Sequence, residues 1–431
     1  MKRVLAVCLT GLFPLLASAA DLLDVYRQAL GHDAQYAAAR AARDAGLEKG
    51  VQGRAGLLPV IGASASVTRN HVNPEGLPSS DYNSNAWGVQ LTQPLWRKQN
   101  LVVAEQGVLQ SSLSEVQFEQ VRQDLALRVA DAYFNVLNAQ DALEAVTQLR
   151  TAAAEQLELA TVSFEVGTVT ITDVHEAQSR FDLAQAQVIA AESELELRRD
   201  TLFQIVGGDP GELAPLRPAV ELSAPTPGDP GQWVTAAEEG GYPVQLQRIA
   251  RDLAVREFER NRAAHLPTVD LVATAGQAHR QSTAAAPRAA SATVGIQFNL
   301  PLYAGGALSS REREAAALQV KAESDLENAR RSAALAARQA YLGVTSGLAR
   351  IKALEAAQTS SLSALEANKL GYEVGVRINI DVLNAQTQLA DTRQQLARAR
   401  YDTLLAQLRL KAAAGTLEEG DLEEVNALLA R

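Results

Sequence analysis

Few side chains in this 431-residue chain are typed and spaced for chemistry. The five histidines, His32, His71, His175, His265 and His279, are scattered. No two of them make the HExxH spacing with which a helix presents zinc and a general base. The single cysteine, Cys8, lies in the first apolar stretch. Once that stretch is removed, no thiolate is left for a nucleophile, a disulfide or a metal site. Gly305-Gly306 is the closest approach to a phosphate loop, but no lysine or further glycine follows at the required distance, and the pair reads as a turn. No nucleophile elbow or dinucleotide fingerprint is present. The 50 Asp and Glu residues fall mostly on helix faces, where solvation is their ordinary role. The sequence therefore supplies no residue set for an enzyme and no cofactor or metal site.

The formal net charge of −10 argues against a nucleic-acid partner. Lys2 and Arg3 precede an apolar run, Val4 to Leu16, broken by Pro14, and Ala17-Ser18-Ala19 is a small-residue cleavage site. Residues 1–19 read as a secretory signal whose removal makes the chain two units more acidic, and the run is shorter than the ~20 residues a spanning helix needs. No later segment approaches such a helix. A secreted chain can still enter a bilayer as β-strands, whose alternating signal is weaker.

The elements repeat. Leu58-Pro59 recurs as Leu266-Pro267, Ala132-Tyr133-Phe134 as Ala340-Tyr341-Leu342, and Phe164-Glu165-Val166-Gly167 as Tyr372-Glu373-Val374-Gly375. Asp173-Val174 recurs as Asp381-Val382, all at an offset of 208 (267 − 59, 375 − 167, 381 − 173). Pro94-Leu95 matches Pro301-Leu302 at 207, a slip that a loop absorbs. One offset held across helix, strand and turn marks a duplication. The first repeat covers 20–207 and the second 232–414. Between them, 208–231 holds six prolines and reads as a linker, and 415–431 is a C-terminal segment.

Each repeat opens with a helix, Asp21 to about Arg54 and about Gln232 to Ala264, ending at a Leu-Pro step. Strand pairs follow at 57–69 with 86–96, and at 266–276 with 291–303. Ile61, Ala63, Ala65 and Val67 alternate with Gly62, Ser64, Ser66 and Thr68, as Trp87, Val89 and Leu91 do with Gln90 and Thr92. In the second repeat Val269, Leu271, Ala273 and Ala275, then Val294, Ile296, Phe298 and Leu300, form the apolar sets. Period-two alternation over about ten residues suits a tilted strand with one face in lipid. Trp96 and Tyr303 follow the two Pro-Leu steps, where interfacial aromatics belong, and the loops Asn70–Asn85 and Gln277–Ala289 are long and polar.

Very long helices come next, 99–166 and 307–373, each roughly 100 Å at 1.5 Å per residue. The seam Leu125, Val129, Ala132, Val136, Ala139, Leu143, Val146 has heptad spacing. After glycine turns at Gly167 and Gly375, return helices span 173–206 and 381–414. Four strands per chain cannot close a barrel, and lipid does not tolerate open sheet edges. Copies must share one barrel: two would give eight strands, three would give twelve, and the wider one leaves a lumen. The competing class, a periplasmic coiled-coil tether, would lack duplicated strand pairs.

The order helix, Leu-Pro, strand pair, Pro-Leu-aromatic, giant helix, Val-Gly turn, return helix resembles the TolC family of outer-membrane efflux and type I secretion proteins. Gln93-Pro94-Leu95-Trp96, Leu300-Pro301-Leu302-Tyr303-Ala304-Gly305-Gly306 and Gly371-Tyr372-Glu373-Val374-Gly375-Val376-Arg377 carry the likeness together with the repeated turns, across essentially the whole chain after the signal. The resemblance implies a mainly α protein with membrane β. Its homotrimer would have a shared twelve-stranded barrel in outer-membrane lipid and a helical tunnel reaching through the periplasm. A collar would take in the linker and the C-terminal segment. It also implies a periplasmic adaptor and an inner-membrane pump of RND or ABC type, with amphiphiles or secreted proteins as cargo. By match to the family's tip, Asp173, Tyr372 and Arg377 would form a periplasmic gate, with Asp173 pairing across the repeats. Asp381 would line the pore constriction. Three residues on, this chain has Asn384 where the family's archetype has a second aspartate, which halves the acidic ring.

Overall fold

Asp21 starts the first helix by accepting from the Asp24 N–H (2.8 Å). Helix α1 (Leu22–His32) ends at Asp33, whose backbone is extended (φ −63°, ψ 119°). The Asp33 carboxylate then accepts from the Tyr36 N–H (2.6 Å) and opens α2 (Ala34–Ala55). The single helix expected over 21–54 is thus two, because one aspartate ends the first and caps the second. The second repeat breaks at the matching place: α5 (Pro230–Gly240) and α6 (Tyr242–Ala263) flank Gly241, and Pro243 stands in the first turn of α6, where a proline is tolerated.

The remaining elements are β1 (Val60–Val72), β2 (Ser80–Trp96), α3 (Lys98–Glu165), α4 (Ile171–Val206), β3 (Thr268–Gln281), β4 (Ala289–Asn299), α7 (Ala307–Glu373), α8 (Asn379–Ala413) and α9 (Glu419–Asn426). The order helix pair, strand pair, long helix, return helix occurs twice, and α9 follows. The computed structural model describes residues 19–76, 78–218, 220–281 and 289–430. Residues 1–18 of the expected signal (1–19) and part of the Gln277–Ala289 loop lie outside the described residues. Among the described residues no helix is long and apolar enough to cross a membrane.

The chain divides into two compact units that cut across the repeats. One gathers the described part of Met1–Ala37 with Gln123–Trp233 and Arg338–Arg431; the other gathers Ala38–Arg122 and Val234–Ala337. In the first unit the heptad seam is the core. Leu125, Val129, Ala132, Val136 and Ala139 are buried, joined by Tyr133 and Phe134. Leu22 and Val25 of α1, Leu202 of α4, Leu404 and Leu408 of α8, and Leu422 of α9 close over them. Tyr133, fully buried, donates to the carbonyls of Ala20 (3.2 Å) and Ala214 (2.8 Å), pinning the segment before α1 and the linker to α3. The linker continues this attachment through a short antiparallel bridge between Leu216 and Leu429. Arg128 grips the buried Asp33 with two bonds (3.0 and 3.1 Å), so the break between α1 and α2 is tied to α3.

In the second unit α2 and α3 approach unusually closely. A Cβ on Gly107 would stand 2.6 Å from the Lys49 carbonyl oxygen and 3.2 Å from the Gly53 Cα. Only glycine at these positions permits this approach.

Candidate functional site

Two features are candidates for function: the sheet in one unit and the helical hairpin turns in the other. The sheet has the order β1-β2-β3-β4, all antiparallel. Opposite residues share a face, so the register sorts the whole sheet. Ile61 opposes Leu91, which opposes Ala273, which opposes Val294. Ala63, Val89, Ala275 and Ala292 form the next row, and Ala65, Trp87 and Gln277 the row after. The other face carries Gly62, Gln90, Thr274 and Thr293, and Ser64, Gly88, Gly276 and Ser291. A hydroxyl pair, Thr274 with Thr293 (2.6 Å), ties two strands on that polar face.

One largely apolar face therefore runs across strands from both repeats. It stands uncovered in the single chain: Val294 is 76% exposed, Ile296 70% and Phe298 63%. Gln93 is a polar member of this face, as Gln277 is further along; it stands opposite Leu271, and its amide donates to the backbone carbonyls of Leu57 (3.0 Å) and Pro94 (2.8 Å). Both N–H groups of this amide thus have acceptors within the chain. The outer strands, β1 and β4, have no further partner among the described residues.

The strands differ in extent from the sequence reading. β1 runs to Val72 and β2 begins at Ser80, so the Asn70–Asn85 loop shrinks to the residues between them. Asn70, His71 and Ser80 to Asn85 lack strand patterning but pair in register, and His71 meets Asp81 at 2.9 Å. The second hairpin likewise extends to Gln281 and resumes at Ala289. Strand β4 stops at Asn299, before Leu300-Pro301, because Pro301 has no N–H for the ladder. In β2 the matching Pro94 is absorbed by a bulge: Pro94 opposes Asp270, Leu95 is the extra residue, and Trp96 opposes Val269. Trp96 thereby ends on the apolar face beside Val269 and Phe298. Tyr303 lies beyond the end of β4 and is 87% exposed. The two aromatics, equivalent in sequence, stand differently in the fold.

Just past the bulge, Arg97 clasps Asp270 with two bonds (2.7 and 2.5 Å). Asp270 is buried and the arginine is partly exposed. This fork joins the first repeat's strand-to-helix corner to the second repeat's first strand. Sequence reasoning did not find it, since 173 residues separate the partners and neither belongs to a motif.

At the hairpin turns, Gly167 (φ +80°) and Gly375 (φ +76°) adopt the left-handed conformation that ends α3 and α7. The Thr168 N–H then reaches the Ser163 carbonyl (2.9 Å), and the Val376 N–H the Gly371 carbonyl (2.8 Å). Asp173 opens α4 in a capping box: its carboxylate accepts from the Thr170 N–H (2.8 Å) and hydroxyl (2.7 Å). Within the chain it is not brought to Tyr372 or Arg377. Arg377, in the turn before α8, instead lies 3.6 Å from Asp381 in the first turn of that helix. Tyr372 packs half-buried against Leu365, Val382 and Leu389. The bond that does join the repeats here is from Arg180 of α4 to Asn384 of α8 (3.2 Å). No cluster of three or more metal-ligating side chains occurs among the described residues.

Higher in the same unit a second cross-helix link has its own electrostatics. Tyr401 of α8 donates to Asp141 of α3 (2.7 Å), and Arg400 reaches Glu355 of α7 (2.8 Å) and the linker carbonyl of Pro218 (3.2 Å). Burial pushes the Asp141 carboxyl above its ordinary range, although the Tyr401 bond opposes the shift. At Asp33 burial also raises, but the bonds from Arg128 and the Tyr36 N–H outweigh it and hold the carboxyl low.

The model of the outer membrane efflux protein family matches residues 25–208 and 243–416, one stretch in each repeat. Outer membrane protein TolC of Escherichia coli (strain K12) is 33% identical over 453 residues, covering 100% of this chain and 90% of that one. The alkaline protease secretion protein AprF of Pseudomonas aeruginosa is 34% identical, covering 99% and 91%. Among solved structures, the Campylobacter jejuni CmeC outer membrane channel superposes with a TM-score of 0.82 at 17% identity, over 95% of this chain and 90% of that one.

Proposed function

Since the chain belongs to the outer membrane efflux protein family, and so is an outer-membrane export channel and not an enzyme, we propose that three copies close one twelve-stranded barrel. The observation that carries this reading is the open sheet. One face is largely apolar and uncovered across four strands, the opposite face is small and polar, and both edges lack partners among the described residues. Copies pairing β1 to β4 remove the edges, turn the apolar face to lipid and leave the hydroxyl-bearing face on a lumen. The long helices continue this duct into the periplasm. A periplasmic adaptor and an inner-membrane pump of RND or ABC type complete the export route. The likeness to a protease secretion protein supports secreted polypeptide as cargo, and the likeness to efflux channels supports small amphiphiles. Mass photometry of the full chain in mild detergent is expected to give a trimer that forms ohmic channels in planar bilayers. A stable monomer without conductance would overturn the reading.

The hairpin turns are the gate of this proposal. Asp173, Tyr372 and Arg377 lie at the two turns, and closure joins Asp173 of one copy to the second-repeat turn of its neighbour. Charged hydrogen bonds contribute about 1.5–3 kcal/mol each, and exposure puts these at the lower end. Tyr372→Phe with Arg377→Ser is expected to raise single-channel conductance, and unchanged conductance rejects the gate. Asp381 and Asn384 line the constriction. Asp381→Ala is expected to weaken block by a multivalent cation, and Asn384→Asp to strengthen it. Trp96 and Tyr303 sit at the membrane interface, Trp96 on the sheet and Tyr303 on the segment leading to α7.

A further inference from the structure

Asp381 and Asn384 fall at i and i+3 on α8 and share one face, and Arg377 lies in the turn just before the helix. The Asp381 carboxylate has Arg377 beside it at 3.6 Å. One turn deeper stands Asn384, whose side-chain oxygen accepts from Arg180 Nη2 of α4 at 3.2 Å. Arg180 makes no ion pair among the described residues, and Glu176, one turn earlier on α4, is not joined to it. Asn384 is exposed and Arg180 half-buried. An aspartate at 384 would bind the same guanidinium and cancel its charge. An amide oxygen accepts the bond and leaves the charge standing.

We propose that Arg180 sets the charge of the constriction: docked on Asn384, it stations an unneutralised guanidinium one helical turn from Asp381. This rests on the reading of Asp381 and Asn384 as pore-lining. Arg377 is more than half exposed and solvent screens it from Asp381, so along this face of α8 each copy counts one carboxylate at Asp381, a neutral Asn384 and the one guanidinium of Arg180, a sum near zero. Three copies place a ring of three guanidiniums directly behind the ring of three carboxylates. Cations drawn by the first ring meet the second within a Debye length, so the channel discriminates weakly between small cations and anions. The bond also explains how two residues 204 positions apart act together. The long arginine side chain needs an anchor to hold its charge at one depth, and Asn384 supplies it.

The test is the reversal potential of the purified full chain in planar bilayers across a KCl gradient, with trimer content checked for each variant. The parent channel is expected near zero selectivity. Arg180→Gln is expected to raise the potassium-to-chloride permeability ratio by about threefold or more, because the carboxylate ring then acts alone. Arg180→Lys keeps the charge and is expected to stay near the parent. Asn384→Leu, which frees the guanidinium from its anchor, is expected to move the ratio in the same direction as Arg180→Gln but less. Asp381→Asn is expected to move it the opposite way. If Asp381→Asn shifts the ratio and Arg180→Gln does not, the role of Arg180 is overturned and the constriction stands. If neither shifts it, the pore-lining assignment itself falls. A shift in Arg180→Gln with none in Asn384→Leu overturns the docking.

Discussion

Val89→Arg tests the sheet's orientation with little steric confusion. Val89 lies on the inner strand β2, opposite Ala63 of β1 and Ala275 of β3. Both neighbours carry a single methyl, so an arginine meets no bulky side chain, and what it loses is set by the surrounding medium. With Trp87 and Leu91 on the same face, the position belongs to the apolar band. An arginine near the bilayer midplane of a β-barrel costs roughly 2–4 kcal/mol. At 1.4 kcal/mol per factor of ten, that is about 30- to 700-fold per copy in the folding equilibrium. A barrel of three copies carries the penalty three times, about 6–12 kcal/mol, comparable to the whole stability of an ordinary domain. The control is one residue away: Gln90 opposes Gly62 and Thr274 on the polar face, where Gln90→Arg meets water. The assay is outer-membrane yield after fractionation, with the oligomer followed by heat-modifiable mobility on gels. Val89→Arg is expected to be nearly lost from that fraction and Gln90→Arg to approach the parent level. Ile296→Arg and Gln297→Arg repeat the contrast on β4. Equal yields within both pairs would refute the assignment of faces.

Gly107→Val is expected to force α2 and α3 apart and to cost about 1–3 kcal/mol, read as a lowered thermal midpoint, because its Cβ would stand 2.6 Å from the Lys49 carbonyl. A parental midpoint would mean that the close approach is not required. Arg128→Met leaves Asp33 buried without its partner, at a cost of about 2–3 kcal/mol after discounting for the arginine's partial exposure. The Asp33 carboxyl is held low in the folded chain, so its contribution is present above the ordinary carboxylate range and lost as pH falls through the lowered value. The variant's stability is therefore expected to depend less on pH on the acid side, and a parallel pH profile would count against the pair. Asp141 has the opposite sign: its carboxyl is raised, the folded chain holds the proton longer, and stability falls as pH rises through the raised value. Asp141→Asn is expected to remove that slope while still accepting from Tyr401, and midpoints measured across pH that keep the parental slope would refute this.

Much of the fold is legible because it rests on local pattern repeated twice. The alternation in Ile61 to Val67 and in Val294 to Phe298 names the apolar face, and the observed register assembles those sets into one surface. Pro301 and the glycine turns mark their boundaries by backbone chemistry alone. What stayed hidden depends on partners far along the chain. Asp33 looks like any helical carboxylate until Arg128, 95 residues away, is seen to bury with it. Arg97 with Asp270 and Arg180 with Asn384 are likewise set by the packing of one repeat on the other. The extra strand residues of the first hairpin were missed because Asn70, His71 and Ser80 to Asn85 are polar, and pairing rather than patterning holds them in the sheet. At the tip, Asp173 is chemically suited to two partners, and within its own chain the nearby Thr170 takes it.

The unpaired edges of β1 and β4 also have a genetic consequence. Each copy offers two different edges, and a barrel closed from copies needs every β1 to find a sound β4. A chain with one edge spoiled and the other intact still joins its neighbours and then leaves the ring open. In a cell making both versions, such an allele is expected to behave as dominant, poisoning assemblies that contain intact chains. An allele that abolishes both edges drops out of assembly and behaves as recessive.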